Sequence, residues 1–413
     1  MEHACATIGG FDSVTSLQRN RIAMNLLFIC SGYPEPGGVE TVTGLLADFF
    51  RTHGNSVVIL VLEGSKTHVS ESHRHFHLIV EMPGPLNSTL NLSFIDAFIR
   101  ERQIGCVFNQ GVFSQIYLHA AQHPETMFIN TLHSRPFWEV HKFVNSRWGV
   151  LLAQQHGLLQ KGKALLRYFL GFLHPDLTHP NIRRFYRKQI ESVQWYVVLD
   201  EAFKKELEFK LYQGVEQPKI IVIPNPLPLA VEQRLPKQKE VLYIGRLTAE
   251  PKRVDRLLRI WAEIEEQVPD WTLQIVGDGA ERGNLEKLAN SLKLKNIHFQ
   301  GFQDTTSFYQ RASILCLTST YEGTPMVIPE SQSYGTVPMV FGSVESMYTL
   351  IDDGMNGLIV PPFDEHAFAE DLLKLIKDEK RLEFLSKNAL VKVKDLNLER
   401  IGSKWLKLLE SRL

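Results

Sequence analysis

At 413 residues the chain is longer than one hydrophobic core usually serves, so we expect two domains. The 45 Lys and Arg residues balance 46 Asp and Glu residues, and this near-neutral charge argues against a nucleic-acid partner. The 44% of hydrophobic residues is typical of a globular protein, and no stretch approaches the roughly eighteen consecutive apolar residues of a membrane-spanning helix.

The N-terminus and the cysteines give two further expectations. Residues 1–23 are polar and without hydrophobic period, whereas Met24 directly precedes a strand-like run. We expect this segment to be a disordered extension or an incorrectly assigned start. Cys30, Cys106 and Cys316 stand in apolar surroundings, which predicts buried free thiols in a reducing cytosol.

The chain from residue 25 predicts a parallel sheet. Residues 25–30 form a continuous apolar run, as expected of a strand buried on both faces. A loop containing Gly37 and Gly38 follows, and then a helix at about 39–51 and a strand at 56–62. Strand, glycine loop, helix and strand open a doubly wound sheet. Further strands are predicted at 106–109, 127–131 and 195–199, and His133 lies just beyond the second of these.

The segment 137–188 differs from the rest of the chain. Lys and Arg greatly outnumber acidic residues there, and aromatic residues and leucines are interleaved with them. Such a segment suits an anionic membrane surface and, with it, a lipid-linked acceptor. A solvated basic face over buried aromatic residues is the equal alternative.

A second β/α set follows the proline-rich connection 223–228. Its predicted strands are 241–244, 272–276, 297–299, 314–317, 337–341 and 358–360. Two alternating sets predict two Rossmann-like α/β domains facing each other across a cleft. The last segment places Ile401, Trp405 and Leu408 on one face, which indicates an amphipathic terminal helix.

Two glutamates flank a predicted helix start in the second set. Thr324 could cap this helix, Pro325 suits its first position, and Glu322 precedes it by two residues. Glu330 lies eight residues after Glu322. A helix N-terminus suits phosphate and carboxylates suit sugar hydroxyls, so the pattern favours a nucleotide-sugar site. A pair of surface glutamates beside a turn is the alternative.

Cations that suit a diphosphate follow the first strand of the same set. Arg246 directly follows Gly245, and Lys252 lies in the same loop, although a solvated lysine at a helix start would look the same. Gly277-Asp278-Gly279 follows strand 272–276, where it permits either close ligand approach or a plain turn. The chain has no Asp-Xaa-Asp pair for a metal, and its glycines do not complete the dinucleotide-binding pattern.

On these residues the chain resembles glycosyltransferase family 4, retaining enzymes of GT-B fold. The resemblance is most specific from about residue 240 to 362. It implies that Arg246 and Lys252 hold the donor diphosphate, that Glu330 holds the ribose and that Glu322 positions the donor sugar. Further implied donor contacts are His133, Gly37, Gly38, Gly245, Gly277, Asp278, Gly301, Phe302, Gly323, Thr324, Pro325 and Met326. A proline at position 329 is unusual within a helix, and we expect it to remove one helical hydrogen bond and so displace Glu330.

The resemblance also implies a domain plan and an activity. It assigns 24–225 to an acceptor-binding domain, 226–395 to a nucleotide-sugar-binding domain and 396–413 to a helix that packs on the first domain. We expect a metal-independent retaining hexosyltransferase without a cofactor, cytoplasmic or peripheral on the inner membrane. Its expected donor is UDP-linked, and its acceptor is lipid-linked or a polysaccharide of a bacterial surface. A nucleotide-sugar-binding subunit without turnover is the main alternative, and an epimerase of the same fold is the third.

Overall fold

Two parallel sheets organise the chain. The computed structural model describes residues 23–33, 37–64, 78–85, 88–111, 119–120, 122–138, 180–228 and 236–411. The predicted N-terminal extension lies outside these residues apart from residue 23, and so does most of the basic segment, 139–179.

The first sheet has seven strands in the order β3-β2-β1-β4-β5-β6-β7, all paired in parallel. The strands are β1 (Asn25–Tyr33), β2 (Ser56–Gly64), β3 (Leu78–Glu81), β4 (Cys106–Gln110), β5 (Met127–Leu132), β6 (Trp195–Val198) and β7 (Ile220–Val222). The predicted central strands are confirmed, and most of their residues are apolar and buried, although β4 and β5 also bury Asn109, Gln110, Asn130 and Thr131. The two edge strands, β3 and β7, were not predicted.

Helices cover both faces of this sheet. They are α1 (Gly38–Thr52), α2 (Thr89–Glu101), α3 (Pro180–Ser192) and α4 (Glu201–Tyr212). The helix predicted after the glycine loop is therefore confirmed as α1, which buries Leu46, Phe49 and Phe50 against the sheet. The order of strands reverses at β1, whose two neighbours are β2 and β4. Ligands of open α/β sheets bind beyond the strand ends at such a reversal.

The second sheet has six parallel strands in the order β10-β9-β8-β11-β12-β13. They are β8 (Gln238–Ile244), β9 (Thr272–Val276), β10 (Ile297–Gly301), β11 (Ala312–Leu317), β12 (Val337–Phe341) and β13 (Leu358–Val360). The accompanying helices are α5 (Val254–Ile264), α6 (Arg282–Ser291), α7 (Thr306–Arg311), α8 (Val327–Ser333), α9 (Glu345–Leu350), α10 (Glu365–Lys377), α11 (Glu379–Lys392) and α12 (Leu398–Glu410).

The terminal helix α12 returns to the first domain. Ile401 and Trp405 are buried in the same cluster as Phe49 and Phe50 of α1, and the Trp405 ring meets Phe108 edge-on at 5.7 Å. This packing confirms the amphipathic terminal helix predicted from the sequence and the crossing back to the first domain that the family resemblance implied. The exact domain boundaries at 225 and 395 stay a prediction.

The cysteines and the helices agree with two sequence expectations. Cys30, Cys106 and Cys316 are buried, and burial raises the pKa of Cys30 to about 12 and raises that of Cys316 as well. The thiols of Cys30 and Cys316 therefore stay protonated and unreactive at neutral pH. Within the described ranges, every helix is too short or too polar to cross a bilayer.

Candidate functional site

The reversal point of the second sheet brings two predicted loops together. Its strand order changes direction between β8 and β11, and the loops after these strands carry Arg246 to Lys252 and Ser319 to Glu322. The backbone N–H of Thr320 donates to the carbonyl of Pro251 at 2.8 Å. Residues some seventy positions apart in sequence therefore share one edge of the sheet, at its expected ligand-binding position.

Opposite charges meet within this edge. Lys252 Nζ lies 2.7 Å from Glu322 Oε1, and their side chains are 20% and 10% exposed. Arg246 is exposed and, among the residues that the structure describes, its guanidinium has no carboxylate partner. The Tyr243 hydroxyl donates to the Arg246 carbonyl at 3.2 Å and fixes the loop from below. The site thus offers one unpaired cation and one cation held by an acid.

The glycines of this edge are required by backbone contacts. Gly245 N donates to Val276 O at 3.0 Å, and Gly277 N donates to Gly301 O at 2.7 Å. A β-carbon added at Gly277 would lie 2.0 Å from the Gly245 carbonyl oxygen. Gly277 also has a φ of 133°, which side chains rarely allow. The Gly-Asp-Gly turn therefore owes its glycines to the close approach of neighbouring strand ends.

The turn also contacts Arg282, a residue that the sequence analysis did not single out. Asp278 Oδ1 accepts from Gly279 N at 2.7 Å, and Asp278 Oδ2 lies 3.2 Å from Arg282 Nη1. The same Arg282 atom lies 3.1 Å from the position of a β-carbon on Gly301. Phe302, next along the chain, is 68% exposed. An Arg four residues after an Asp at a helix start was the available signal for this pair.

The helix after Glu322 begins later than predicted. Helix α8 starts at Val327, after a turn in which Ile328 N donates to Pro325 O at 3.2 Å. The buried Thr324 hydroxyl has no hydrogen-bond partner among the described residues, so the predicted Thr324 cap is wrong. The predicted placement of Pro325 at the first helical position is also wrong, because the helix begins two residues later. The turn at Pro325 separates Thr324 from the first N–H groups of the helix, which it was expected to cap.

The expected displacement of Glu330 by Pro329 is also wrong. Pro329 is the third residue of α8, where the backbone N–H of any residue lacks a partner within the helix. Proline therefore removes no helical hydrogen bond there. Glu330 N donates normally to Met326 O at 2.9 Å.

Glu330 is held by a second residue missing from the sequence prediction. The Tyr309 hydroxyl donates to Glu330 Oε2 at 2.7 Å. Burial raises the pKa of Glu330, and this hydrogen bond acts in the opposite direction. Tyr309 belongs to the short helix α7, and its local sequence contains no pattern that predicts this contact.

The first domain approaches this edge through its own predicted residues. A β-carbon on Gly323 would lie 2.6 Å from the His133 carbonyl oxygen. A β-carbon on Gly38 would lie 3.6 Å from Met326 Cγ. The glycine loop, the histidine and the glutamate motif therefore meet at one place. Only a residue without a side chain fits at position 323.

One ring nitrogen of His133 has no hydrogen-bond partner among the residues that the structure describes. Its Nε2 lies 2.5 Å from Gln110 Oε1, whereas its Nδ1 is buried and unpartnered. Burial lowers the pKa of His133 to about 4, so the ring is neutral at pH 7. With Nε2 donating to the Gln110 oxygen, Nδ1 keeps a lone pair that can accept a hydroxyl hydrogen.

At the strand ends and loops of both domains, several buried polar atoms have no hydrogen-bond partner within the described ranges. On the first domain they are Gln110 Nε2, Thr131 Oγ1, His133 Nδ1 and Ser134 Oγ. On the second they are Thr248 Oγ1, Glu250 Oε2, Ser319 Oγ, Thr320 Oγ1 and Thr324 Oγ1. Such atoms are rare in folded proteins, and most of these are hydroxyls or neutral groups. This composition suits a ligand rich in hydroxyl groups.

An ion pair joins the two domains beside the same contact. Arg135 Nη2 lies 3.1 Å from Glu345 Oε1 of the second domain, and Arg135 Nε lies 3.3 Å from Glu206 Oε2 of the first. Arg135 follows His133 by two residues. The salt bridge therefore holds the strand-end segment of the first domain against the second.

The described end of the basic segment is partly used in packing. Arg183 and Arg187 of α3 donate to the carbonyls of Lys210 and Leu211 at the end of α4. Cations stabilise a helix C-terminus, so these two arginines have a structural role. Arg184 and Lys188 of the same helix are exposed.

Two other features lie apart from this site. A cavity of about 970 Å³, lined in part by Lys237, Trp271, Lys377 and Glu383, opens at the N-terminal edge of the second sheet and contains none of the motif residues. The part of the chain that the structure describes holds no group of three His, Cys, Asp or Glu placed to share a metal ion.

Family models match both halves of the chain. The model described as Glycosyltransferase Family 4 matches residues 36–231, and the model described as Glycosyl transferases group 1 matches residues 230–391. The chain belongs to glycosyltransferase family 4. The two matches meet within the connection between the sheets, so each domain is matched by its own glycosyltransferase model.

Individual relatives of this family 4 chain match over shorter stretches. It is 30% identical over 190 residues to an uncharacterised glycosyltransferase of Haemophilus influenzae, covering 45% of this chain and 54% of that protein. It is also 30% identical over 182 residues to an α-1,4-N-acetyl-D-galactosaminyltransferase of Campylobacter jejuni named for a diphosphate-undecaprenol-linked saccharide, covering 44% and 50%. The chain spans about half the length of these relatives.

A solved structure shares the fold of this chain over nearly its whole length. The crystal structure of Anabaena HepE in complex with UDP and glucose matches with a TM-score of 0.70 and 16% identity. The match covers 94% of this chain and 100% of that one. The predicted arrangement of two Rossmann-like domains, the GT-B fold, is confirmed.

Proposed function

We propose that this chain transfers a hexose-type sugar from a UDP-linked donor to a lipid-linked or polysaccharide acceptor in bacterial surface glycan synthesis. The observation that carries the proposal is one loop at the reversal point of the second sheet that holds two cations: Arg246, exposed and without a carboxylate partner among the described residues, and Lys252, paired with Glu322. A diphosphate is the ligand that such a cation pair suits. The family membership also supports a nucleotide-sugar donor.

The two cations would stabilise the departing diphosphate without a metal ion. In the transfer the bond between the sugar C1 and the phosphate oxygen breaks, and its electron pair leaves with the diphosphate. Arg246 and Lys252 place two positive charges where that charge develops, and such preorganised groups are each worth roughly 3–4 kcal/mol. If the cations are sufficient, chelation with EDTA leaves turnover unchanged.

Retention of configuration follows if the acceptor approaches from the side of the leaving group. The acceptor hydroxyl oxygen then bonds to C1, and its proton passes to an oxygen of the departing diphosphate. The neutral His133, with its unpartnered Nδ1, would accept a hydrogen bond from the donor sugar. Glu322 would accept others once Lys252 turns to the diphosphate.

The remaining implied contacts complete this arrangement. Gly301 and Phe302 would border the nucleobase, with Asp278 and Arg282 beside them. Gly37 and Gly38 lie opposite Met326, where the phosphates or the acceptor would enter. The cluster of unpartnered hydroxyl groups on both domains supports a polyhydroxylated ligand between them.

A lipid-linked acceptor has separate support. The Campylobacter relative is named for an undecaprenol-linked saccharide, and α3 exposes Arg184 and Lys188. We place the protein on the inner membrane face through this basic surface. The double variant R184Q/K188Q should sediment less with anionic vesicles, while R183Q/R187Q would also damage the α3–α4 contact and is not a clean test.

The deciding experiment is a panel of UDP-, GDP- and ADP-sugars, tested for thermal stabilisation and slow donor hydrolysis in wild type and in Glu322→Gln. We expect one UDP-sugar to stabilise the wild type and to be hydrolysed, with turnover lost in the variant. Stabilisation without any turnover, even with lipid acceptors present, would favour the non-catalytic binding subunit. No response to any nucleotide sugar would reject the proposed function.

A further inference from the structure

The carboxylate of Glu330 is fixed through one oxygen only. Tyr309 donates its hydroxyl hydrogen to Glu330 Oε2 at 2.7 Å, and Tyr309 itself is 2% exposed. The other oxygen, Oε1, makes no hydrogen bond within the described residues. One carboxylate oxygen is therefore anchored, and the second can accept hydrogen bonds from a ligand.

The anchor is itself rigid. The Tyr309 ring stacks on Tyr334 with centroids 5.9 Å apart and planes inclined by 7°. The carbonyl of Tyr309 accepts from Thr336 Oγ1 at 2.7 Å and from Lys237 Nζ at 2.8 Å. The ring also belongs to a buried cluster with Leu242, Ile244, Val276, Phe308, Ala312 and Leu315. Contacts on these sides fix the position of the hydroxyl.

The hydrogen bond from Tyr309 favours the ionised form of the Glu330 carboxyl group. Burial raises the pKa of Glu330, and the hydrogen bond from Tyr309 lowers it. Tyr334, and Asp304 beyond it, are the other titratable groups near this carboxyl. No cation pairs with Glu330 in the ranges that the structure covers. Loss of the hydroxyl would therefore favour the protonated acid, which is a poorer acceptor.

We propose that Tyr309 is a positioning residue for donor recognition, whose hydroxyl fixes Glu330 Oε2 so that Oε1 accepts hydrogen bonds from the two ribose hydroxyls of the nucleotide. The inference rests on the proposed function, because it needs Glu330 to face the ribose of the donor. The inference gives helix α7 a role in nucleotide binding, although none of the motifs identified in the sequence lies in α7. A rigid neutral donor orients the carboxylate without competing for the ligand's charge.

The test compares ribose recognition in Tyr309→Phe and in a matched variant. Tyr334→Phe removes the hydroxyl of the stacked partner, which bonds Thr306 rather than Glu330. Isothermal titration would measure the affinity for UDP and for 2′,3′-dideoxyuridine diphosphate between about pH 5 and pH 8. In Tyr309→Phe we expect about tenfold weaker binding of UDP and unchanged binding of the dideoxy analogue. Tyr334→Phe should match the wild type with both.

The pH profile separates positioning from simple destabilisation. Because loss of the hydrogen bond raises the pKa of Glu330, the acidic decline of UDP affinity should move to higher pH in Tyr309→Phe. Glu330→Gln should show no such decline and should bind UDP and the dideoxy analogue about equally. A merely structural role for Tyr309 would weaken both ligands together and leave the pH of the decline unchanged, which would overturn the inference.

The outcomes also distinguish this inference from the proposed function. Wild type that binds UDP and discriminates against the dideoxy analogue, with Tyr309→Phe behaving like Tyr334→Phe, would refute the role of Tyr309 and leave the proposed function intact. Wild type that binds both ligands equally would refute the ribose role of Glu330. Wild type that binds none of UDP, GDP and ADP would remove the proposed function and this inference together.

Discussion

Lys252 and Glu322 neutralise each other across 2.7 Å, which has a consequence for nucleotide binding. An incoming diphosphate must draw Lys252 away from an acid that is only 10% exposed. Glu322→Gln removes this competition, so we expect UDP to bind about fivefold more tightly, equivalent to about 1 kcal/mol. Turnover should nevertheless fall, because Glu322 is expected to position the donor sugar. Titration of UDP and a donor-hydrolysis assay measure the two effects.

A carboxylate far from the site provides the control for the effects of Glu322→Gln on UDP affinity and turnover. Glu383→Gln removes the same charge from the exposed Lys387–Glu383 pair on α11. It should leave both UDP affinity and turnover unchanged. Unchanged or weaker UDP binding in Glu322→Gln would show that the ion pair does not oppose the diphosphate.

His133 makes the stability of the protein depend on pH. Its folded-state pKa of about 4 lies below the ordinary value of 6.5, so the unfolded chain takes up a proton first as the pH falls. Stability should therefore decline below about pH 6.5, by about 1 kcal/mol between pH 7.5 and pH 5.5. Urea unfolding of wild type and His133→Gln at these two pH values measures it.

The variant should remove this part of the pH dependence. His298→Gln, at an exposed position of β10, is the matched control and should keep it. An equal pH dependence in wild type and His133→Gln would mean that the imidazole is not held neutral by burial.

At the scale of elements, two helical glycines should respond oppositely to the same substitution. A β-carbon on Gly402 of α12 would lie 2.5 Å from the buried Phe49 ring of α1, whereas one on Gly283 of α6 would meet nothing within 4 Å. Gly402→Ala should lower stability by about 1–2 kcal/mol through overpacking. Gly283→Ala should raise it by about 0.5 kcal/mol. Thermal unfolding of both variants tests the packing of α12 on the first domain, which a stabilised Gly402→Ala would contradict.

The elements also show how far the sequence determines the site. The buried strands were predictable because most of their residues are apolar, and loops after strands of one parallel sheet necessarily share an edge. The loops that carry Arg246, Lys252 and Glu322 therefore lie at one edge of the sheet, and Lys252 contacts Glu322 there. Edge strand β7 was missed because its three residues run directly into the proline connection.

Contacts that depend on the final packing were beyond the sequence. The start of α8 was misplaced because a turn at Pro325 replaced the expected cap. Tyr309 reaches Glu330 only because α7 and α8 pack side by side, and no local pattern marks either residue as a partner. The same holds for Arg135 and Glu345, which belong to different domains.

The whole molecule is held closed in part by Arg135, which bridges Glu206 of its own domain and Glu345 of the other. Glu345 is 53% exposed, so the pair across the cleft is worth about 0.5–1 kcal/mol. Because the donor binds between the domains in the proposed function, Glu345→Gln should raise the KM for donor about threefold, and small-angle scattering should show a larger radius of gyration. Salt at about 1 M should reproduce the effect in the wild type, since it screens exposed charges.

Two further variants isolate the bridge between the domains from the charge of Glu345 alone. Glu206→Gln removes the partner within the first domain and leaves the pair across the cleft, so its radius of gyration should match the wild type. Exchange of the charges in R135E/E345R, made together with Glu206→Gln so that the new carboxylate has no acidic neighbour at that position, should restore part of the lost affinity because the attraction across the cleft is rebuilt. If Glu345→Gln leaves both KM and dimensions unchanged, closure rests instead on the backbone contact of Gly323 with His133. Gly323→Ala would then show the larger opening, since a β-carbon has no room there.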